Sequence, residues 1–335
     1  MAKNLYIEDI TPGGKIDGQF VVEEPSLMSG KKGKYITCTV SDATGSLQCK
    51  VWGMGQDEQM MDVHAALKPG MVYRCYGVAQ VFRGVTELNI NEGVGYLCTP
   101  VEGEDLSPED YVYSPANTVE NKKELLSLAR SISRTALRSA VCGALEKYPL
   151  FFEVPAARYK HHAYTGGLAE HTIEVARMAA AMADGVSGVA MDRDMVVAGA
   201  ILHDIGKVAS FEKRGFSFIS LPVYSLIGHT SLGIRIVEDL CREYRLPVED
   251  RTHLLHILQS HHGQHAEIHP HSAEAWAVHF GDNASATLHE VDDDLRETAP
   301  GEVMKGRHSG GLVFRFERPH EDRQTLEKEY QGTLF

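Results

Sequence analysis

The chain has 335 residues, of which 43% are hydrophobic, and a formal net charge of -13 at pH 7. This length predicts two domains, and the acidic balance argues against a protein that coats polyanions non-specifically. The sequence has no apolar run long enough for a membrane span, and its six cysteines form no CxxC pair, which argues against a disulfide framework or a zinc ribbon. Because the N-terminus has no apolar signal core and the scattered cysteines are typical of a reduced chain, we expect a cytoplasmic protein without membrane contact.

The first 100 residues predict an all-β domain. Residues 35–40 and 46–52 have strand composition and are joined by a polar turn with a glycine at position 45, and residues 72–82 and 86–90 are further strands. Residues 57–67 are predicted to form one short helix. With a first strand before the loop at residues 31–34, the domain has five short strands with a helix after the third, which is the order of an OB-fold barrel.

An acidic, proline-containing linker is predicted for residues 101–118, and the apolar spacing then becomes helical. We therefore expect an all-α domain over residues 119–300. After its first helix, the predicted helices span residues 167–184, 194–207, 226–244, 253–260 and 273–294. Residues 301–335 form a polar tail in which only residues 311–316 have strand composition. Its apolar end, Leu334 and Phe335, is expected to contact a partner or a second copy of the chain. In the second case the protein would be a homo-oligomer.

A histidine and an aspartate, His203 and Asp204, end one of the apolar predicted helices. Burying two polar groups there is costly unless another group satisfies them, and imidazole and carboxylate are both ligands of divalent metals. Further ligand-type residues occur in other helical segments: His171, His229, His261, His262 and Asp282. A lone histidine on an apolar face is more often a satisfied core residue. Five separate segments with ligand-type residues favour a metal site.

The residue types at this site suit catalysis better than a structural role. Mixed nitrogen and oxygen ligands are typical of Mn, Fe, Co, Zn or Mg and differ from the cysteine-rich ligands of closed structural zinc. A carboxylate can bridge two metals, which makes Asp204 the natural bridge. Such a site polarises phosphate oxygens and lowers the pKa of a bound water. Lys207 lies near the same helix face as Asp204 and is interpreted as a catalytic charge stabiliser, against the alternative of a lysine favoured by the helix dipole.

The order of these residues resembles that of the HD-domain metal-dependent phosphohydrolases, and the histidines at positions 229, 261 and 262 resemble their two-metal subset. The resemblance implies that two divalent ions are bound. One would be held by His171, His203, Asp204 and Asp282. The second would be held by Asp204, His229, His261 and His262.

A closer resemblance, to the YhaM family of bacterial 3'-to-5' exoribonucleases, is carried by two strings, KHHAYTGGLAEHT from Lys160 and SHHG from Ser260. Members of this family carry an OB domain before an HD domain, and the resemblance covers most of the chain except the tail. One departure is the string Asp-Asn-Ala-Ser-Ala from Asp282, where family members often have a second aspartate in place of the serine. Within the first string, His161 and His162 are interpreted either as part of the phosphate site or as loop anchors.

An OB barrel binds single strands by stacking bases on aromatic rings over a positive groove. The candidate contacts are Lys32, Lys34, Tyr35, Trp52, Phe82 and Arg83, with the two lysines in the loop before the second strand. Strand alternation places Trp52 on the same face as Lys50, which favours an exposed ring. For each aromatic residue the alternative is a place in the barrel core.

The resemblance implies a metal-dependent 3'-to-5' exonuclease that hydrolyses single-stranded RNA, with single-stranded DNA as a further candidate substrate. Two alternatives stay open: a phosphohydrolase of small nucleotides, and a nucleic-acid-binding adaptor with an inactive HD fold. The residues Gly263-Gln264-His265 replace the Gly-Tyr-Pro of the cyclic dinucleotide subset, which argues against that class of substrate. The complete set of ligand-type residues argues against an inactive adaptor.

Overall fold

The computed structural model of the chain describes residues 3–53, 55–82, 84–91, 100–101, 106–158 and 160–317. The chain divides into two compact units, Met1–Asp282 and Asn283–Phe335. Within the described ranges, no helix combines the length and the apolar character needed to cross a membrane.

Five strands close into a barrel at the start of the first unit, in the order β1-β2-β3-β5-β4. The strands are β1 Lys15–Gly30, β2 Gly33–Asp42, β3 Gly45–Trp52, β4 Val72–Phe82 and β5 Val85–Ile90, with helix α1 Asp57–Ala66 after the third. Alternate residues of β2 and β3, such as Ile36, Cys38 and Val51, are buried in the barrel core, as strand geometry requires. The predicted OB-fold order is confirmed.

The start of β2 differs from the prediction, which placed Lys34 in a loop. Gly30 pairs directly with Gly33, so β2 begins after a turn of only two residues, and Lys34 lies in the strand opposite Ser29. Gly33 has a φ of +106°, a conformation that glycine adopts without steric cost and that completes the tight turn. Lys32 lies in the turn itself.

The rest of the chain is mainly helical, which confirms the predicted fold class. The remaining elements of the first unit are α2 Pro108–Tyr111, α3 Thr118–Arg130, α4 Thr135–Lys147, α5 Gly167–Gly185, α6 Arg193–Leu202, β6 Phe211–Arg214, β7 Ser217–Ser220, α7 Pro222–Leu226, α8 His229–Glu243, α9 Val248–Ser260 and the first part of α10 Ala273–Glu297. The hairpin β6–β7 was not predicted and makes this region helical with one small sheet rather than purely α. Gly215, at a φ of +56°, forms its turn.

Among the helix ends that differ from their predicted positions, three have clear local reasons. The helix predicted to reach residue 207 ends at Leu202, and a 3-10 turn, Ile205–Ala209, follows. The helix predicted from residue 226 begins at His229, because Gly228 at a φ of +82° breaks the chain direction. The helix predicted from residue 253 begins at Val248. Acidic residues in its first turn stabilise this earlier start by their interaction with the helix dipole.

Helix α6 lies in the centre of the helical core. Its residues from Met195 to Leu202 are all buried, as expected for a helix that is apolar on every side. Gly199 lets α9 approach closely, since a Cβ there would lie 2.8 Å from the side chain of Ile257. The central position of α6 brings its C-terminal residues, His203 and Asp204, into the middle of the helical region.

The hairpin β6–β7 belongs to the helical region and packs against the barrel within the first unit. The amide of Phe216 donates to the carbonyl oxygen of Gly70 at 2.8 Å, and a Cβ on Gly70 would lie 1.8 Å from the carbonyl oxygen of Arg214. The ring of Phe216 packs against a small apolar cluster that includes Val72 and Tyr111. Tyr111 belongs to the predicted linker, so this part of the linker is packed against both regions.

The second unit contains the remainder of α10 and a two-stranded sheet, β8 Val303–Lys305 and β9 Leu312–Phe314. Strand β9 lies within residues 311–316, where a strand was predicted. Asp294 is buried and accepts hydrogen bonds from the backbone amides of Arg307, His308 and Ser309, at 2.8, 2.9 and 2.9 Å. The apolar end of the tail, with Leu334 and Phe335, lies outside the described residues.

Candidate metal centre

Four predicted ligands form a first cluster at the centre of the helical region. Nε2 of His171 lies 3.3 Å from Nε2 of His203 and 3.2 Å from Oδ1 of Asp282. Oδ2 of Asp204 lies 3.3 Å from Nε2 of His203. Atoms that share one metal at about 2.1 Å lie about 3–3.5 Å apart. His171, His203 and Asp282 place one ligand atom each within 4.8 Å of one another, close enough to share a single ion, and Oδ2 of Asp204 adjoins this group.

A second cluster lies on the other side of Asp204. Its Oδ1 atom is 3.2 Å from Nε2 of His229 and 3.8 Å from Nε2 of His261. Nε2 of His262 is 3.2 Å from Nε2 of His229, and the three imidazoles place one nitrogen each within 4.8 Å of one another. The two oxygens of Asp204 thus face different groups of imidazoles.

Two buried polar atoms of these clusters have no hydrogen-bond partner among the described residues, Oδ1 of Asp204 and Nε2 of His261. Leaving such atoms unsatisfied costs about 1–3 kcal/mol each. Nδ1 of His261 donates to the carbonyl oxygen of Leu258 at 2.7 Å, and Nδ1 of His203 donates to that of Ala200 at 2.7 Å. These bonds direct the lone pair of each Nε2 into the site. The donor set therefore fits a divalent metal ion.

The charge state of the site also suits a cation. Burial lowers the pKa of His171 and lowers that of His261 well below its usual value, so both are neutral ligands at pH 7. Burial opposes ionisation of Asp204, but the Lys207 ammonium and the nearby imidazoles hold its pKa well below the usual range. The Lys207 ammonium is buried and contacts Oδ2 of Asp204 directly. An ionised Asp204 carboxylate beside the neutral imidazoles of His171 and His261 attracts a metal ion.

Glycines allow the close packing that assembles the two clusters. A Cβ on Gly206 would lie 1.9 Å from the carbonyl oxygen of His229, so the start of α8 rests directly on the turn that follows Asp204. Gly263 lies in the turn after His262, and a Cβ there would lie 2.3 Å from the ring of His279. A larger residue at position 206 would displace His229, and one at position 263 would displace the ring of His279.

Three histidines outside the predicted set of metal ligands lie beside these ligands. Nδ1 of His161 is 3.3 Å from Nδ1 of His162, and each offers a nitrogen within 4.8 Å of one from His171. His279 donates from Nδ1 to the carbonyl oxygen of His261 at 2.7 Å. Sequence reasoning did not identify His279. The available signal was its position three residues before Asp282, on the same face of a helix.

Tyr35 and Trp52 lie opposite each other on β2 and β3, and their rings stack with centroids 4.8 Å apart. Nε1 of Trp52 donates to Oδ1 of Asn89 at 2.8 Å. Trp52 is half-buried rather than fully exposed, because of these two contacts, and neither ring belongs to the barrel core. The pair forms a flat aromatic surface on the outside of the barrel.

The other candidate contacts of the barrel are more scattered. Phe82 is 51% exposed, and the ammonium of Lys50 lies 4.8 Å from the centre of its ring. Lys32 is exposed, whereas the Lys34 ammonium contacts Sδ of Met61 at 2.9 Å. The predicted contact Arg83 lies outside the described residues. The described candidates include two cations and three aromatic rings on the outer surface of the barrel.

Comparison with known proteins identifies two domains in this chain. The HD domain family matches residues 168–291, and the family described as an OB-fold nucleic acid binding domain matches residues 21–93. A family described as a putative helicase matches residues 116–210, but that segment has no GxxxxGK[ST] sequence for nucleotide phosphates. An OB-fold domain followed by an HD domain is therefore confirmed.

The chain is also similar to curated proteins over nearly its full length. It is 26% identical over 313 residues to the 3'-5' exoribonuclease YhaM of Bacillus subtilis. It is 27% identical over 310 residues to that of Listeria welshimeri and 28% identical over 310 residues to that of Listeria monocytogenes. Each alignment covers 91% of this chain and 95% of the relative. The predicted resemblance to the YhaM proteins is confirmed.

Proposed function

We propose that this chain, a homologue of the YhaM exoribonucleases over 91% of its length, is a metal-dependent 3'-to-5' exonuclease of single-stranded RNA. The position of Asp204 carries this proposal, because its two oxygens lie 3.3 Å from His203 and 3.2 Å from His229. A carboxylate between two groups of imidazoles supports a pair of ions, the arrangement that cleaves phosphodiesters by in-line attack. Manganese, cobalt, iron, zinc and magnesium all suit these ligands.

Each proposed ligand has a defined part in this site. His171, His203 and Asp282 would hold one ion, His229, His261 and His262 would hold the other, and Asp204 would contact both. When bound, the ions supply Lewis acidity and lower the pKa of the water that attacks the phosphorus.

Lys207 would act on the phosphate directly. Its buried ammonium lies against Asp204 at the centre of the site, where it can donate to a phosphoryl oxygen. A fixed positive charge at this place stabilises the negative charge that develops during the reaction. The bond that breaks joins phosphorus to the 3' oxygen of the preceding nucleotide.

The barrel would hold the strand that enters the site. Stacked rings such as Tyr35 and Trp52 bind unpaired bases of any sequence, and the exposed Lys32 adds charge for the phosphates. We include Lys34, Phe82 and Arg83 in this interface. Because the net charge is -13, binding should depend on this local patch rather than on the whole surface. Single-stranded DNA would bind the same surface.

The boundaries of the domains that carry these functions are those predicted from the sequence. We propose a nucleic-acid-binding domain over residues 1–100, a linker over residues 101–118, a catalytic domain over residues 119–300 and a tail over residues 301–335. We also propose a cytoplasmic location and assembly into a homo-oligomer, with the tail as the contact.

A single assay tests the proposed activity. Purified protein is incubated with Mn²⁺ and a 5'-labelled single-stranded RNA, with matched DNA and a cyclic dinucleotide as competing substrates. We expect a ladder of products shortened from the 3' end, which a chelator abolishes. Intact RNA in the presence of metal-loaded protein would refute the proposal, and hydrolysis of the cyclic dinucleotide alone would favour a small-nucleotide phosphohydrolase.

A further inference from the structure

Three aromatic rings lie together near the start of α10. The ring centroids of Trp276 and Phe280 are 5.4 Å apart and their planes differ by 30°. The ring of His279 lies 5.6 Å from that of Trp276 and 5.4 Å from that of Phe280. Trp276 is 40% exposed and Phe280 is 50% exposed. Clustered exposed aromatic residues of this kind mark binding surfaces more often than isolated apolar residues do.

These rings are continuous with the metal centre. Nδ1 of His279 donates to the carbonyl oxygen of His261 at 2.7 Å. The His279 ring also packs so closely on Gly263 that a Cβ there would lie 2.3 Å from it. Asp282, a proposed ligand, follows His279 by three residues and so lies on the same face of the helix. A molecule bound at the centre would therefore have the His279 ring beside it, and the rings of Trp276 and Phe280 pack on that ring.

The chemistry of the rings indicates what they bind. The segment from Ala275 to Gly281 contains no acidic residue that would repel a polyanion. Its valine, Val278, is buried, so the segment presents planar rings, and planar rings stack on nucleobases of any sequence. The phosphates of the same strand would be held separately, by the metal centre and Lys207.

We infer that Trp276, His279 and Phe280 form a stacking surface for the unpaired nucleobases next to the phosphate to be cleaved, a role that rests on the proposed function. The surface would act with the barrel rings at Tyr35 and Trp52, and would hold the end of the strand at the site of reaction. The alternative is that these rings contact a second copy of this chain.

Tryptophan fluorescence tests base stacking without any catalytic readout. The chain has two tryptophans, so the variant Trp52→Phe leaves Trp276 as the sole reporter. In the absence of added metal, we expect a single-stranded oligouridylate to quench Trp276 emission and an abasic oligomer of equal length to leave it unchanged. Unchanged emission while a labelled RNA binds, as seen by anisotropy, would overturn the inference.

Kinetics supply a second test that separates this inference from the proposed function. The double variant Trp276→Ala, Phe280→Ala should lower the ratio of kcat/KM for RNA to that for bis(p-nitrophenyl) phosphate, a diester without bases, by about 10-fold. The change should fall mainly on KM for RNA, and replacing both rings by tyrosine should restore the ratio. Val119→Ala, an exposed apolar control on α3 that is 65% exposed, should leave the ratio unchanged.

The outcomes have distinct meanings. A wild-type protein that does not shorten RNA would refute the exonuclease proposal, while quenching of Trp276 by bases would still support the stacking surface. An unaltered kcat/KM ratio in the double variant would overturn the stacking surface alone. A wild-type dimer that becomes a monomer in the double variant, with no base-dependent quenching, would assign the rings to self-association and also overturn it.

Discussion

Oδ1 of Asp204 lies 3.2 Å from Nε2 of His229, yet that buried oxygen receives no hydrogen bond from any described residue. The contact exists because Gly206 lets the first residue of α8 rest on the turn after Asp204. Two ligand-type atoms held this close without a hydrogen bond leave a place for a cation between them.

Replacing Asp204 should remove the centre of the site. Asp204→Asn keeps the shape but lacks the charge that both clusters share, so we expect loss of bound metal and a decrease in RNA hydrolysis of at least about 100-fold. Elemental analysis and the RNA assay measure the two effects. Asp239→Asn is the matched control, since its side chain is 72% exposed, and wild-type turnover by Asp204→Asn would contradict the assignment.

Gly206→Ala should displace His229. The added Cβ would lie 1.9 Å from the carbonyl oxygen of His229, so α8 must shift, at a cost of about 1–3 kcal/mol in the free energy of unfolding. We expect a lower metal content together with the lower stability in denaturant titrations. Gly185→Ala is the control, because a Cβ there meets no described atom within 4 Å. Equal metal content in Gly206→Ala and wild type would show that α8 does not position the ligand.

Lys207→Met should separate metal binding from catalysis. Lys207 is not a ligand, so the variant should keep its bound metal, whereas loss of the positive charge near the phosphate should lower kcat by about 10²–10³-fold. Metal content and single-turnover RNA cleavage report these two properties. Lys213→Met, which removes an exposed ion pair with Glu153, is expected to behave as wild type. A Lys207→Met enzyme with unchanged kcat would reduce the lysine to a structural role.

The second unit should lose stability in acid through Asp294. Burial opposes its ionisation, but hydrogen bonds from His308, Ser309 and Arg307 lower its pKa to about 2. Because the folded pKa lies below the ordinary value of about 4, the stabilisation is complete above that pH and is lost as the pH falls toward 2. Thermal unfolding of wild type and Asp294→Asn should therefore differ at pH 5 and converge near pH 2. A difference independent of pH would contradict the assignment.

Sequence patterns predicted the local parts of this structure well. The succession of strands along the chain, the helix after β3 and the apolar helix that leads into His203 follow from short-range composition, although that helix ends at Leu202 rather than at residue 207. The metal centre spans residues from His171 to Asp282, and spacing alone does not predict which of them meet. The resemblance to HD-domain enzymes supplied that grouping, and the structure brings the same side chains together.

The features that sequence reasoning missed depend on distant partners. The hairpin β6–β7 has the charged sequence Phe-Glu-Lys-Arg in its first strand, and its contact with the barrel is the bond from Phe216 to Gly70. Trp52 is half-buried because β5 pairs beside β3 and brings Asn89 to its ring nitrogen. His279 contacts the turn at His261 only through tertiary packing.

The position of the metal ions tests the central claim most directly. Crystals soaked in Mn²⁺ and measured at the manganese absorption edge should show two anomalous peaks, one on each side of the Asp204 carboxylate. One peak should lie near His171, His203 and Asp282, and the other near His229, His261 and His262. A single peak away from Asp204, or none in protein that degrades RNA, would contradict the proposed two-metal site.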